Sequence, residues 1–172
     1  MVNRICFRKF LSVDDFQYFL DLASNEKVMV MNYGRVFTLE ETNEIYEGML
    51  NINKNHEAFG YFKVFEKATN AYIGLGAMVI NNDFTEGEIE YMLLPEYWGK
   101  GYGTEIVREL LKKTEEAKSI QKVIGNIDPN NIGSKKILLN NGFVSCKFYE
   151  NADNSSPVEM LCKEIMWGSN DE

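Results

Sequence analysis

Apolar residues recur at two periods along the chain, alternately in some stretches and every third or fourth position in others, and the switches between them outline the elements. Ile5–Phe10 reads as a first strand. Ser12 followed by Asp15 is a capping-box-like start for a helix over about 13–24, with Phe16, Phe19, Leu20 and Ala23 on one face. Thr38 and Glu41 repeat that signature and open a helix near 39–50. Ala58–Glu66 and Ala71–Val79 flank the turn Lys67–Asn70 as a hairpin, and Glu88–Leu94 follows the turn Asn81–Gly87. The period then changes: Ile106, Val107, Leu110 and Leu111 lie on one stripe of a helix from Tyr102 to about Lys118. A short strand, Lys122–Ile127, leads to a helix, Ile132–Leu139, stopped by Asn140, Asn141 and Gly142. Phe143–Glu150 and Val158–Ile165 close the chain as two strands joined by a polar turn.

Strands 88–94 and 122–127 are joined through a helix, which predicts a parallel pair with a right-handed crossover, whereas the hairpins are antiparallel. The expected fold class is α/β (α+β): a mixed, mostly antiparallel sheet flanked by helices. The 172 residues fit one domain, 1–172. A chain of this size buries roughly 70% of its unfolded surface without a metal or disulfide.

Charge and cysteine content narrow the chemistry. The net charge of −8 argues against a nucleic-acid surface and suits cationic partners such as amines. Three cysteines (Cys6, Cys146, Cys162) without C-x-x-C spacing and a single histidine offer no zinc pattern and no disulfide framework. With no signal-peptide pattern and no apolar run near the roughly 20 residues that span a bilayer, a cytoplasmic protein with no membrane partner is expected. A Cys–His nucleophile is rejected, because His56 lies in the polar run Asn51–Glu57, read as a surface loop, and nothing pairs it with a cysteine.

The informative stretch is Pro95-Glu96-Tyr97-Trp98-Gly99-Lys100-Gly101-Tyr102-Gly103-Thr104-Glu105, between an apolar strand and an amphipathic helix. Glycines at alternate positions let a backbone approach a ligand closely. The first amides of the helix have no intrahelical acceptor and carry about +0.5 charge, so together these features form a cradle for phosphate oxygens. Gly101 after Lys100 excludes a Walker A loop, and Thr104 stands where the dinucleotide fingerprint needs its third glycine. A ligand-free glycine turn remains open on the loop alone, as an ordinary N-cap does for Asn131.

The strand Glu88-Ile89-Glu90-Tyr91-Met92-Leu93-Leu94, the loop Pro95–Glu105 and Asn131-x-x-Ser134 running to Gly142-Phe143, with the opening Ile5-Cys6-Phe7-Arg8, together resemble the GNAT superfamily of acetyltransferases. The nearest branch is that of the ribosomal-protein N-terminal (alanine/serine) acetyltransferases. The resemblance implies an acetyl-CoA-dependent N-acetyltransferase that passes acetyl to a primary amine, either a protein N-terminus or a small molecule, by direct attack in a ternary complex. It implies acetyl-CoA as cosubstrate and no metal, with Gly99, Lys100, Gly101, Tyr102, Gly103 and Thr104 on the pyrophosphate. The pantetheine arm is expected along Met92, Leu93 and Leu94, where a backbone N–H stabilises the oxyanion. Asn131 and Ser134 are expected to face the same ligand. Trp98 replaces the usual Arg or Gln of the loop, a change that a main-chain cradle tolerates.

An attacking amine must be neutral, which at pH 7 costs roughly 4.6 kcal/mol for a lysine side chain but only about 1 kcal/mol for an α-amino group. Glu88 and Glu90, of equal parity and so facing one way, are the candidate bases. Glu90 stands where the branch often has glycine, which is expected to alter a local bulge or the substrate site. The family's general-acid tyrosine falls at Leu138, so Ser134 is the alternative proton donor, and the missing phenol also keeps open a non-catalytic acyl-CoA-binding sensor or interaction module. The acceptor site is expected to draw on residues 25–37, including Met29, Met31, Tyr33, Arg35 and Phe37, and on the turn 150–157. Monomer and homodimer both remain open.

Overall fold

The computed structural model describes residues 2–168; residue 1 and residues 169–172 of the expected domain lie outside the described residues. Seven strands form one sheet: β1 (Ile5–Lys9), β2 (Gly60–Glu66), β3 (Tyr72–Ile80), β4 (Glu86–Leu93), β5 (Lys122–Ile127), β6 (Val144–Glu150) and β7 (Pro157–Glu164). Their order is β1-β2-β3-β4-β5-β7-β6. Every pairing is antiparallel except β4 with β5, the parallel pair expected across the helical crossover. Five helices flank the sheet: α1 (Phe16–Ala23), α2 (Glu26–Tyr33), α3 (Leu39–Asn55), α4 (Tyr102–Lys113) and α5 (Ile132–Asn140). Among the described residues no helix is long and apolar enough to cross a membrane.

Strand alternation gives the sheet two apolar faces, each needing a cover. Ile5, Val64, Met78, Ile89 and Val123 join the helix stripe Ile106, Val107 and Leu110 of α4 in one core. Leu75, Ala77 and Met92 join Phe19, Leu22, Val28, Tyr46 and Met49 of α1–α3 in the other. Leu22, rather than the expected Leu20, is the fully covered leucine of α1.

Several local readings change, among them the end of α4, which stops at Lys113 before a 3-10 turn, Thr114–Glu116, rather than running to about Lys118. The helix expected from 13 begins as a 3-10 turn, Val13–Asp15. There Ser12 Oγ accepts from the Asp14 amide, while Asp15 accepts from Leu11 N–H and pairs with Lys63 instead of closing a capping box. The box at Thr38 and Glu41 does form in both directions. Its helix, however, runs on to Asn55, so Asn51–Asn55 is not loop, and His56 is the C-cap whose ring rests against Phe59 and Phe84. Asn53 holds this polar tail down: its Nδ2 donates to the carbonyls of Phe10 and Tyr61, each at 2.9 Å, and its Oδ1 accepts from Tyr61 N–H at 2.7 Å. Finally, residues 26–33, given no element by their sequence pattern, form α2 between an Asn25 N-cap and a left-handed Gly34.

Candidate active site

The site begins where the two parallel strands part. β4 and β5 pair only at Glu86↔Lys122, Gly87↔Val123 and Glu88↔Ile124. Beyond that point β5 stays with β7 through Ile127↔Glu159, while β4 follows β3 to Leu93. The wedge between them is a cleft of about 470 Å³, walled by Glu88–Met92, Gly125–Asp128, Asn131, Ser134 and Tyr149. The β3–β4 register runs without a shift, so glutamate at position 90 creates no bulge.

Backbone direction divides the expected pantetheine strand. Leu94 N–H already donates to Ile73 O at 3.0 Å, and the Met92 carbonyl points at β3, only 2.1 Å from where a Cβ on Gly74 would stand. Peptide groups alternate along a strand and β5 engages β4 only as far as Glu88↔Ile124, so the amides turned to the open edge are those of Tyr91 and Leu93. Met92 and Leu94 are therefore corrected as backbone donors; Met92 instead lends its side chain to the cleft wall.

Glu88 and Glu90 do share a face, and each has a partner from another strand. Tyr61, Ala77 and Glu90 lie in one row across β2, β3 and β4. Ala77 in the middle is too short to obstruct, so the Tyr61 hydroxyl reaches across and donates to Glu90 Oε1 at 3.1 Å. Glu88 accepts from Asn126 Nδ2 at 2.9 Å, and Asn126 Oδ1 accepts from the Tyr149 hydroxyl at 3.0 Å. Burial, and secondly the charge of Glu88, pushes the Glu90 carboxyl up to about 7 against the opposing effect of the Tyr61 hydrogen bond. Part of Glu90 opens onto the cleft, but its carboxylate sits among Tyr33, Phe37, Tyr61 and Met92, so desolvation governs its proton affinity. Burial and the same carboxylates raise the phenol of Tyr61.

The glycine junction lies past the end of β4 and is not a wall of this cleft. Gly99 and Gly101 have φ of 70° and 85°, left-handed values that favour glycine. Side chains of Asn25, Thr38 and Asn131 cap α2, α3 and α5, but Gly101 occupies the N-cap of α4 and offers none. Glu105 N–H is bonded to Gly101 O, while the preceding first-turn amides find no acceptor among the described residues. A Cβ on Gly99 would meet nothing within 4 Å, so the approach is open. A Cβ on Gly103 would stand 2.5 Å from Ile137 Cδ1, which sets how closely α4 approaches α5. The Tyr102 side chain is core, its ring buried and its hydroxyl on Glu66, so this residue can present only its backbone. Arg4, which the sequence did not single out, donates from Nη2 to Lys100 O at 3.1 Å and lies over the Tyr102 ring. Its Nε pairs with Glu105 Oε2 at 3.0 Å, so from a distant point in the chain it ties the cradle to the first turn of α4 as one half of an ion pair.

Asn131 is the N-cap of α5, its Oδ1 accepting from Ser134 N–H at 3.1 Å, and it also walls the cleft beside Ser134. Leu138 is wholly buried against Gly125, so no phenol comes from the family's general-acid position. Two hydroxyls overlooked in the sequence enter the cleft instead, Tyr149 and Tyr91, the latter donating to Ser134 O at 3.1 Å. Of the expected acceptor residues, Tyr33, Arg35, Phe37, Asn151, Asn154 and Ser156 reach the cleft, whereas Met31 is exposed on α2. Burial drives the Cys162 thiol up to about 11, away from nucleophile chemistry. Among the described residues no group of three His, Cys, Asp or Glu side chains is placed to hold a metal.

A family model described as an acetyltransferase (GNAT) domain matches residues 4–144, most of the chain. The chain belongs to this GNAT acetyltransferase family. A curated relative, the FsC-acetyl coenzyme A-N(2)-transacetylase of Aspergillus fumigatus, is 23% identical over 150 residues, covering 82% of this chain; the match spans only 63% of that protein's length. Among solved structures, a Salmonella typhimurium acetyltransferase that modifies the N-terminal serine of a 50S ribosomal subunit protein superposes with a TM-score of 0.79 at 15% identity, covering 96% of this chain and 97% of that one. Spermidine N-acetyltransferase from Vibrio cholerae, solved with CoA and spermine, gives 0.74 at 18% identity over 95% and 96%. At such identities these GNAT neighbours establish a shared fold.

Proposed function

We propose that this GNAT domain is an acetyl-CoA-dependent N-acetyltransferase that passes acetyl to a primary amine by direct attack in a ternary complex. The observation that carries the reading is a carboxylate held near neutrality, Glu90, in the cleft that opens where β4 and β5 separate. The residues fit the cosubstrate: the uncapped first turn of α4 with open space at Gly99 suits a diphosphate, and the unpaired edge of β4 suits an extended amide-bearing arm. When bound, acetyl-CoA supplies the thioester carbon that the amine attacks.

Glu90 takes the proton of the incoming ammonium group. Transfer from an α-ammonium of pKa about 7.8 to a carboxyl near 7 climbs only about 1 kcal/mol. Tyr61 fixes the carboxylate by its hydrogen bond, and Glu88, anchored through Asn126, keeps the site anionic and attractive to amines. On the open edge, the Tyr91 and Leu93 amides are the donors available to the thioester oxygen. Ser134, in the first turn of α5, is the proton donor for the departing sulfur. Gly99–Thr104 hold the diphosphate through main-chain amides, with Lys100 adding positive charge, while Arg4 is balanced by Glu105.

A purified sample incubated with acetyl-CoA and a panel of amines should release free thiol with at least one acceptor. The buried Leu138 keeps the sensor reading as the alternative. Calorimetric binding of CoA without thiol release from any amine would establish that alternative and overturn this one.

A further inference from the structure

A second, smaller hollow adjoins the cleft on the α1–α3 side. Its volume is about 240 Å³, and Phe19, Met29, Phe37, Ile45, Met49 and Leu75 supply most of its wall. Its polar groups are the Glu90 carboxylate and the phenols of Tyr33 and Tyr61. It shares Tyr33, Phe37, Leu75, Glu90 and Met92 with the main cleft, so the two spaces meet around the carboxylate. We infer that the acceptor is a primary amine carrying a compact apolar or aromatic group, with the amine at Glu90 and the apolar group seated in this hollow. The inference rests on the acetyltransferase reading of the cleft.

The chemistry of the walls selects the occupant. A dry cavity of about 150 Å³ lined by Leu, Ile and Phe accepts benzene, so this space suffices for a phenyl ring or a short alkyl chain. Glu90 is its single acid. A diamine or polyamine whose chain entered this hollow would have to bury a second ammonium among methionines and phenylalanines, and an unpaired buried charge is strongly disfavoured. The helices over the hollow also expose apolar side chains to solvent, including Val30 and Met31 of α2 and Leu39 and Ile45 of α3. Ile45, half-exposed on α3, lies on the wall where a larger side chain can enter without disturbing the deep residues Phe19, Met29 and Met49.

Unbranched alkylamines share nearly one pKa, so a series from propylamine to hexylamine varies apolar length alone. With acetyl-CoA saturating, kcat/KM should rise about fourfold per methylene, the fold-change equivalent to about 0.8 kcal/mol, until the hollow is full. Putrescine and spermidine should fall at least tenfold below hexylamine. Ile45→Trp, which fills the hollow, should flatten the gradient. A flat series in the unaltered protein, or diamines equal to hexylamine, overturns the inference while acetyl transfer stands. If no amine releases thiol, acetyl transfer fails instead, and calorimetry with hexylamine in the presence of CoA still decides the hollow. Binding that Ile45→Trp weakens at least tenfold supports it, and absence of binding overturns it.

Discussion

Replacing Glu90 by Gln separates what this carboxylate does for chemistry from what it costs the fold. The carboxyl rises from an ordinary 4.5 to about 7, so between those values the folded protein binds a proton that the unfolded chain has released. Stability is therefore highest below about pH 4.5 with respect to this group, and is lost as pH climbs through 7. The rise corresponds to about 3 kcal/mol at pH 8, a ceiling because the cleft admits water. A glutamine is uncharged, and its carbonyl oxygen still accepts from the Tyr61 hydroxyl. Glu90→Gln should therefore stay within about 1 kcal/mol of the unaltered protein at pH 4.5–5 and exceed it by up to about 3 kcal/mol at pH 8, roughly 5–10 °C in melting temperature for a chain of this length. The same variant should lose about 10²–10⁴ in kcat/KM. In the unaltered enzyme kcat/KM should rise with pH through about 7 as Glu90 ionises, before the acceptor's own titration adds to it. Urea denaturation at pH 5 and pH 8, run beside thiol-release kinetics, measures both effects. Coincident stability curves at pH 8, or divergence at pH 5 instead, would refute the account of Glu90 as a desolvated carboxylate.

Ser134→Ala should slow single-turnover acetylation about tenfold or more while leaving stability nearly unchanged, since the cap of α5 uses its backbone N–H; an unchanged chemical step would remove it as proton donor. Gly101→Ala forces a side chain to φ of 85°, so it should destabilise by about 1–2 kcal/mol and weaken CoA binding measured by calorimetry. Asn53→Ala strips the side-chain partner from the Phe10 carbonyl and the Tyr61 amide, while the Tyr61 carbonyl keeps Phe10 N–H, and should cost about 2–3 kcal/mol in urea denaturation.

Much of the scaffold could be read from local pattern. β5 begins and ends at the residues the alternation indicated, and the stripe of α4 and the capping box of α3 formed as read. α2 escaped because Val28-Met29-Val30-Met31 is a continuous apolar run without a face: Val28 and Met29 are buried, Val30 and Met31 exposed. The usable signals there were the punctuation marks, Asn25 before and Gly34 after. The tail of α3 escaped because the residue that ties it to the sheet, Asn53, is polar and is held by hydrogen bonds rather than by apolar burial.

For the site, the sequence alone determined the glycine junction and the shared face of Glu88 and Glu90, since both follow from residue type and from a period of two along one strand. Only the tertiary structure decided which amides of β4 are free, because that depends on which neighbour each peptide group meets. It also decided that Tyr61 grips Glu90 across Ala77, that Tyr149 reaches Asn126 through the order β5-β7-β6, and that Arg4 approaches the cradle. The proton affinity of Glu90 belongs to the same class. Burial sets it, and the residues that bury it come from α2, β2 and β4, segments that no local pattern brings together.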